Sequence, residues 1–395
     1  MKRLKLVLAG ATVALVAVGI AIAHPGHPPI VPPTASYGAA RDAVPFELFR
    51  GSRIVLNGTV NGTATEMMLD SGAGMTVVDQ AFADKLGLTG GTPLSVRGTG
   101  GDVQGKIVSG VTLTTGALRL TNLSVLVLDM SPIARGVGRP MPVVLGRDAF
   151  KAGIVAIDFP RRTIRFAPRT DFQAPPGATR LDVTDKDGLP AVNLSVAGLP
   201  PVDSHLDLGS SGTLVLAKSY WSAQPTLAGL RHARTEIGGV GGMKPARRVT
   251  IPAIDFGGIR FADVPATLNE DPQALPDSGG NIGIELLKSF VVTFDTAGHA
   301  VYLQQAGPLA AIARERAGIR TEFLGDKLMV VYVSPDGPAA KAGLKNGDQI
   351  VAVDGIKVDE KFYDRPDWTR LPAVQTIAVA KADGGTARVT LADYY

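Results

Sequence analysis

The chain of 395 residues contains no cysteine, which excludes disulfides, a thiol nucleophile and any thiolate metal site. Histidine is scarce too. Its five copies are scattered, and none forms the His-Glu-x-x-His pair that would hold zinc. No Gly-x-Ser-x-Gly elbow is present, so a serine hydrolase of that type has no support. Gly98-Thr99-Gly100 is followed by Val103 where a dinucleotide fingerprint needs glycine. An excess of positive charge is also missing. The formal charge of +4 rests largely on Lys2, Arg3 and Lys5, and the other basic residues nearly balance 36 acidic ones. Without a long basic run, nucleic acid is not an expected partner. Neither a metal nor a cofactor is expected.

A long apolar run covers residues 6–23, behind a basic start and ahead of Ala21-Ile22-Ala23. This reads as a signal peptide over residues 1–23, with small residues at the cleavage positions. An uncleaved anchor is the alternative, because a run of this length can just span a bilayer. The expectation is export to the periplasm or medium; the alternative is an inner-membrane anchor facing the periplasm, the one case with a membrane partner. An exported chain without disulfides fits a bacterial envelope. Residues 24–43 begin HPGHPPIVPP and read as a proline-rich tether without a core.

The rest of the chain repeats itself. Leu69-Asp70-Ser71-Gly72-Ala73 is echoed by Leu206-Asp207-Leu208-Gly209-Ser210, the two aspartates lying 137 residues apart. Val144-Leu145-Gly146 and Asn281-Ile282-Gly283 keep the same spacing, as do Asp158 and Asp295. Three landmarks at one offset identify an internal duplication. Short alternating runs separated by Asn57-Gly58, Asn61-Gly62, Gly90-Gly91 and Gly100-Gly101 read as β-hairpins. One short helix per half is expected, at residues 79–86 and 217–222. A glycine-rich tip follows each aspartate by a similar interval: Gly98-Thr99-Gly100-Gly101 in the first half, Gly239-Val240-Gly241-Gly242 in the second. Such tips suit mobile hairpins over a cleft.

Asp-Ser-Gly-Ala after an apolar strand, with an apolar-apolar-Gly about 75 residues later, resembles the retropepsin-like aspartic proteases. Two such halves are fused here, as in bilobal pepsin-like enzymes. The resemblance implies an all-β fold with duplicated lobes, at residues 44–172 and 173–305, enclosing a cleft. It implies Asp70 and Asp207 as catalytic acid and base, sharing a proton and a water because two close carboxylates cannot both ionise cheaply. Ser71, Gly72, Gly209, Ser210, Gly146 and Gly283 would support the pair. The resemblance gives Ser71 a bond to the backbone of the opposite lobe, while Leu208 stands where the family has Thr or Ser and cannot return it. Ser210 could donate to Asp207, which makes Asp207 the ionised member and Asp70 the protonated one. His205, two residues before Asp207, either tunes that carboxylate or is a strand residue with its own hydrogen bond. The substrate would be an extended peptide or protein lying beneath the tips as an added strand.

Residues 306–319, which include PLAAIARERA, have helical spacing and are expected to form a helical linker. Met329 onward reads MVVYVSPDGPAAKAGLKNGDQIVAVDG and resembles the PDZ modules of bacterial envelope proteases. A small α+β PDZ-like domain over residues 320–395 is implied, and with it a peptide C-terminus as a possible partner. The loop available for that carboxylate is Phe323-Leu324-Gly325-Asp326, where Asp326 would repel it. Two functions are therefore in play: an exported aspartic endopeptidase whose PDZ-like module recruits substrate or partner, or a non-catalytic peptide- or protein-binding protein on the same scaffold.

Overall fold

The computed structural model describes residues 31–39, 42–186, 188–309, 312 and 314–395. The signal peptide and the start of the tether lie outside the described residues. Among those described, no helix is long and apolar enough to cross a membrane.

The fold is mostly β. A nine-stranded sheet is drawn from residues 34–145 and an eight-stranded sheet from residues 184–283. A third sheet of six strands joins the halves. At its centre Ile154–Asp158 runs antiparallel to Phe290–Asp295, with Ile154 opposite Asp295 and Asp158 opposite Val291. The repeated aspartates thus lie at opposite ends of one strand pair, each closing a turn: Asp158 accepts from the Arg161 N–H and Asp295 from the Gly298 N–H. Above this sheet one apolar core runs through both halves, with Phe150 and Phe294 edge to face at 5.0 Å.

The duplication is preserved in hydrogen-bond register. Val143–Leu145 lies parallel to the end of Thr63–Leu69, placing Leu145 beside Leu69. Gly280–Gly283 lies parallel to Val202–Asp207, placing Ile282 beside Leu206. Local chemistry accounts for the turns. Asn61-Gly62 joins two strands with both residues at positive φ (48° and 81°), the geometry of a two-residue hairpin loop. Helix Gln80–Lys85 is capped by the Asp79 carboxylate, which accepts from the N–H groups of Ala81 and Phe82.

Several expectations are corrected. Asn57-Gly58 is not a turn; it lies inside strand Arg53–Val60, where Gly58 leaves room for Thr114 and Met67 to cross closely. The tether is not free of structure, because Thr34–Tyr37 pairs antiparallel with Leu118–Leu128 and completes the edge of the first sheet. The described part of residues 306–319 forms no helix, and Ile319 already begins a strand. Helix Ser131–Val137 was not anticipated, although its signals are present: Pro132 in the first turn and Gly138 at φ 100° just past the end.

Residues 319–390 supply a fourth sheet, with Ile319–Phe323 at one edge and the short helix Pro338–Lys341 beside it. Gly343, Gly347 and Gly355 all have positive φ, as their turns require. This unit is bound to both halves. Glu322 meets Arg135 of the first lobe, while Arg370 meets Glu285 and Arg320 meets Glu236 of the second.

Candidate active site

Asp70 follows the buried end of strand Thr63–Leu69 and Asp207 ends strand Val202–Asp207; each begins a tight turn, and both are fully buried. The turns face each other. A Cβ added to Gly72 would lie 2.7 Å from Cγ of Asp207, and one added to Gly209 would run into the Asp70 carboxyl. Glycine at these two positions is therefore what lets the carboxylates approach. Ser71 ties the turns together: its hydroxyl donates to the Leu206 carbonyl at 2.7 Å and accepts from the Leu208 N–H at 3.0 Å. Leu208 makes no matching side-chain bond and is buried in the apolar core instead. Behind each turn the same clamp recurs. The Arg147 N–H donates to the Ala73 carbonyl and the Ile284 N–H to the Ser210 carbonyl, both at 3.0 Å, directly after Gly146 and Gly283.

The two carboxylates are not equivalent. Asp70 Oδ1 accepts from the Gly72 N–H at 2.8 Å, while its Oδ2 has no hydrogen-bond partner among the described residues. Asp207 Oδ1 accepts from the N–H groups of Gly209 and Ser210, and Oδ2 from Asn281 Nδ2 at 3.0 Å. Burial and then the charge of Asp207 push the Asp70 carboxyl well above the usual range. Burial pushes Asp207 up to about 6, with the bonds from Asn281 and from the Ser210 and Gly209 N–H groups opposing it. Three bonds to Asp207 against one to Asp70 make Asp207 the better-supported anion of the two. The bond from Ser210 comes through its backbone N–H. Asn281, where the first lobe has Val144, figures in the sequence only as part of the repeated landmark and not as a partner of Asp207, although the aligned repeat displays the exchange. Arg53 was also missed. It is buried, feels both carboxylates, and is drawn down to about 10 by burial and by Arg50 and Arg370.

The glycine-rich tips meet over the cleft. Hairpin Thr92–Gly98/Gly101–Thr115 and hairpin His232–Gly239/Gly242–Phe256 touch end to end, the Gly100 N–H donating to the Val240 carbonyl at 2.9 Å. Gly98, Gly100 and Gly241 lie so close to the opposite tip that any side chain would strike its backbone. Val240 is buried in the same apolar cluster as Val96, Ala73 and Met75. The second hairpin is also gripped from outside. The Ser334 hydroxyl donates to the Arg234 carbonyl, and Asp336 accepts from the Arg234 N–H.

The loop Phe323-Leu324-Gly325-Asp326 does not lead into a free strand edge; it turns between two strands paired at Phe323 and Leu328. The edge strand Ile319–Phe323 is preceded by Ala317 and Gly318. Their N–H groups donate to Glu315 Oε1 at 2.8 and 2.7 Å, and Arg248 and Tyr394 hold Oε2. An internal carboxylate already occupies the donors nearest that edge.

Two predictions arise here. Ser71→Ala removes both bonds across the lobes and leaves two buried backbone groups to find other partners. A loss of about 1–3 kcal/mol is expected in denaturant unfolding; an unchanged midpoint would mean the tie is dispensable. The second concerns pH. Both carboxyls are raised on folding; the contribution of Asp207 to stability is fully present below the unfolded value near 3.9 and declines as pH rises through about 6. Thermal melting of the wild type from pH 4.5 to 7.5 should fall relative to Asp207→Asn, by on the order of 2 kcal/mol. Parallel curves for the two proteins would contradict this.

Residues 56–149 match the aspartyl protease family model, and residues 329–371 match the PDZ domain model. The first match ends before the second lobe begins. The crystal structure of an aspartic proteinase from Irpex lacteus is similar over 71% of this chain and 99% of that one, at 15% identity and TM-score 0.44. No curated protein matches. The chain thus carries an aspartyl-protease-like domain and a PDZ domain.

Proposed function

We propose that the protein is an exported aspartic endopeptidase that hydrolyses peptide bonds with a water held between Asp70 and Asp207. One observation carries this reading: two fully buried carboxylates face each other across two glycines, in unequal hydrogen-bond environments. The ionised Asp207 takes a proton from the water as it attacks the scissile carbonyl, and Asp70 donates its proton to the carbonyl oxygen. Proton transfer from the pair to the amine then lets the C–N bond break. Only the pair has defined titrations, so the active species is its singly protonated form. The touching tips must part to admit an extended peptide and then close to exclude water.

The PDZ domain braces this machine. Its grip on the second hairpin and the carboxylate already seated at Ala317 and Gly318 favour that role over capture of a free peptide C-terminus. Export rests on the basic and apolar start of the sequence.

The test is incubation of purified residues 24–395 with a peptide library across pH 4–8, read by mass spectrometry. Cleavage is expected, strongest where the pair holds one proton. If no peptide is cut while peptides bind, the binding-protein reading replaces this one.

A further inference from the structure

One cavity of about 890 Å³ opens beside the pair, floored by the second lobe and roofed by Gly98, Thr99 and Gly101 of the first hairpin. Two side chains in its floor have unmet hydrogen-bonding capacity. His205 is 4% exposed and neither ring nitrogen has a partner among the described residues. Asn281 is 1% exposed; its Nδ2 donates to Asp207, while its Oδ1 has no partner among them. They are neighbours across paired strands, in register at His205 and Asn281. Leaving buried polar groups unpaired is costly, so two together in a cleft point to a ligand that completes them.

The first lobe shows that the fold does not require them. At the corresponding positions, 137 residues earlier, stand Met68 and Val144, both buried and apolar. The polar floor belongs to the second lobe alone.

Its chemistry restricts the occupant. Asn281 Oδ1 can only accept. Burial draws His205 down to about 4, so its ring is neutral and offers one N–H and one lone pair. A carboxamide fits both, its NH₂ donating to Oδ1 and its carbonyl accepting from the imidazole N–H. A carboxylate has no donor for Oδ1 and would meet Asp277 at the rim. Arg97 and Lys244 do not compensate, since they pair with Asp102 and Asp271. An ammonium group could donate to Oδ1 and to the imidazole lone pair, but it would have to shed its water and bury a charge with no anion to pair it in the floor. An aliphatic side chain leaves every group unpaired.

We infer that this second-lobe subsite selects a glutamine or asparagine side chain next to the scissile bond, with His205 and Asn281 as its specificity-determining residues. The inference rests on the peptidase reading for the position of the bond. A site built to bond a polar group discriminates against analogues lacking it. Loss of two hydrogen bonds of about 1 kcal/mol each corresponds to roughly 30-fold in kcat/KM.

The test uses matched peptides carrying Gln, Asn, Glu, Lys or Leu in turn on each side of the cleaved bond. The wild type should prefer the amides on one side by roughly tenfold or more. His205→Met, which installs the first-lobe residue, should lose that preference and gain on Leu. A wild type that favours Leu, Glu or Lys on both sides, or shows no preference, overturns the inference while the peptidase reading stands. If nothing is cleaved, dissociation constants of the same peptides decide: tighter binding of amide peptides sustains the subsite, and equal binding overturns it.

Discussion

Asp70→Asn and Asp207→Asn are each expected to lower kcat/KM for peptide cleavage by about 10²–10⁴-fold, with the folded structure retained. The reason lies in the division of labour. Asp207 is stabilised as an anion by Asn281 and two backbone N–H groups, so asparagine there removes the base that takes the water's proton. Asp70 lacks that support at Oδ2, and asparagine there removes the proton that must reach the carbonyl oxygen. Both variants also remove a buried charge conflict, so neither should unfold. The measurement is steady-state cleavage of one library-derived peptide, with circular dichroism confirming the fold. Activity surviving in either folded variant at the wild-type level would sink the two-carboxylate mechanism.

Gly209→Ala should be nearly as damaging without touching a titratable group. Its new methyl would run into the Asp70 carboxyl, with Oδ1 at 2.5 Å. Asp70 has little room to yield, because it is fully buried and Oδ1 is held by the Gly72 N–H. Either the carboxyl shifts or the turns separate. A displacement of about 1 Å at a reacting group costs on the order of 100-fold in rate, and overpacking adds about 1–3 kcal/mol of destabilisation. Gly212→Ala is the control: three residues on, an added Cβ there meets nothing within 4 Å. The first variant should lose activity and the second keep it. Equal activities would mean that the glycine is not what sets the approach of the pair.

The contrast between these glycines shows what could be read from residue order. Asp-x-Gly at two places with one offset announces paired turns, because only a residue without Cβ permits that approach. The same offset located the clamps at Gly146 and Gly283, and the glycine-rich tips were visible because their composition suits nothing else so well. Ser71 was legible through its resemblance to a family. Each of these features is local in sequence or repeated in it.

What residue order left open depends on partners far away along the chain. Thr34–Tyr37 looks like the end of a proline-rich tether until the exposed edge of Leu118–Leu128 offers it a ladder. PLAAIARERA has a helical period, yet no helix is seen in its described residues, and its Glu315 is held by Arg248 and Tyr394. Asn281 lies 74 residues from Asp207, and only the parallel pairing of their strands brings the amide to the carboxylate. His205 reads as one more strand residue until the cavity beside it leaves both ring nitrogens unmet. Residue order alone announces the two carboxylates, the glycines that admit them and the duplicated β scaffold, because close approach and periodic burial are written in neighbouring residues. Folding alone set how unequally the two carboxylates are bonded, what the C-terminal domain grips and which polar groups the cleft leaves unmet, because those depend on groups that only tertiary contacts bring within bonding distance.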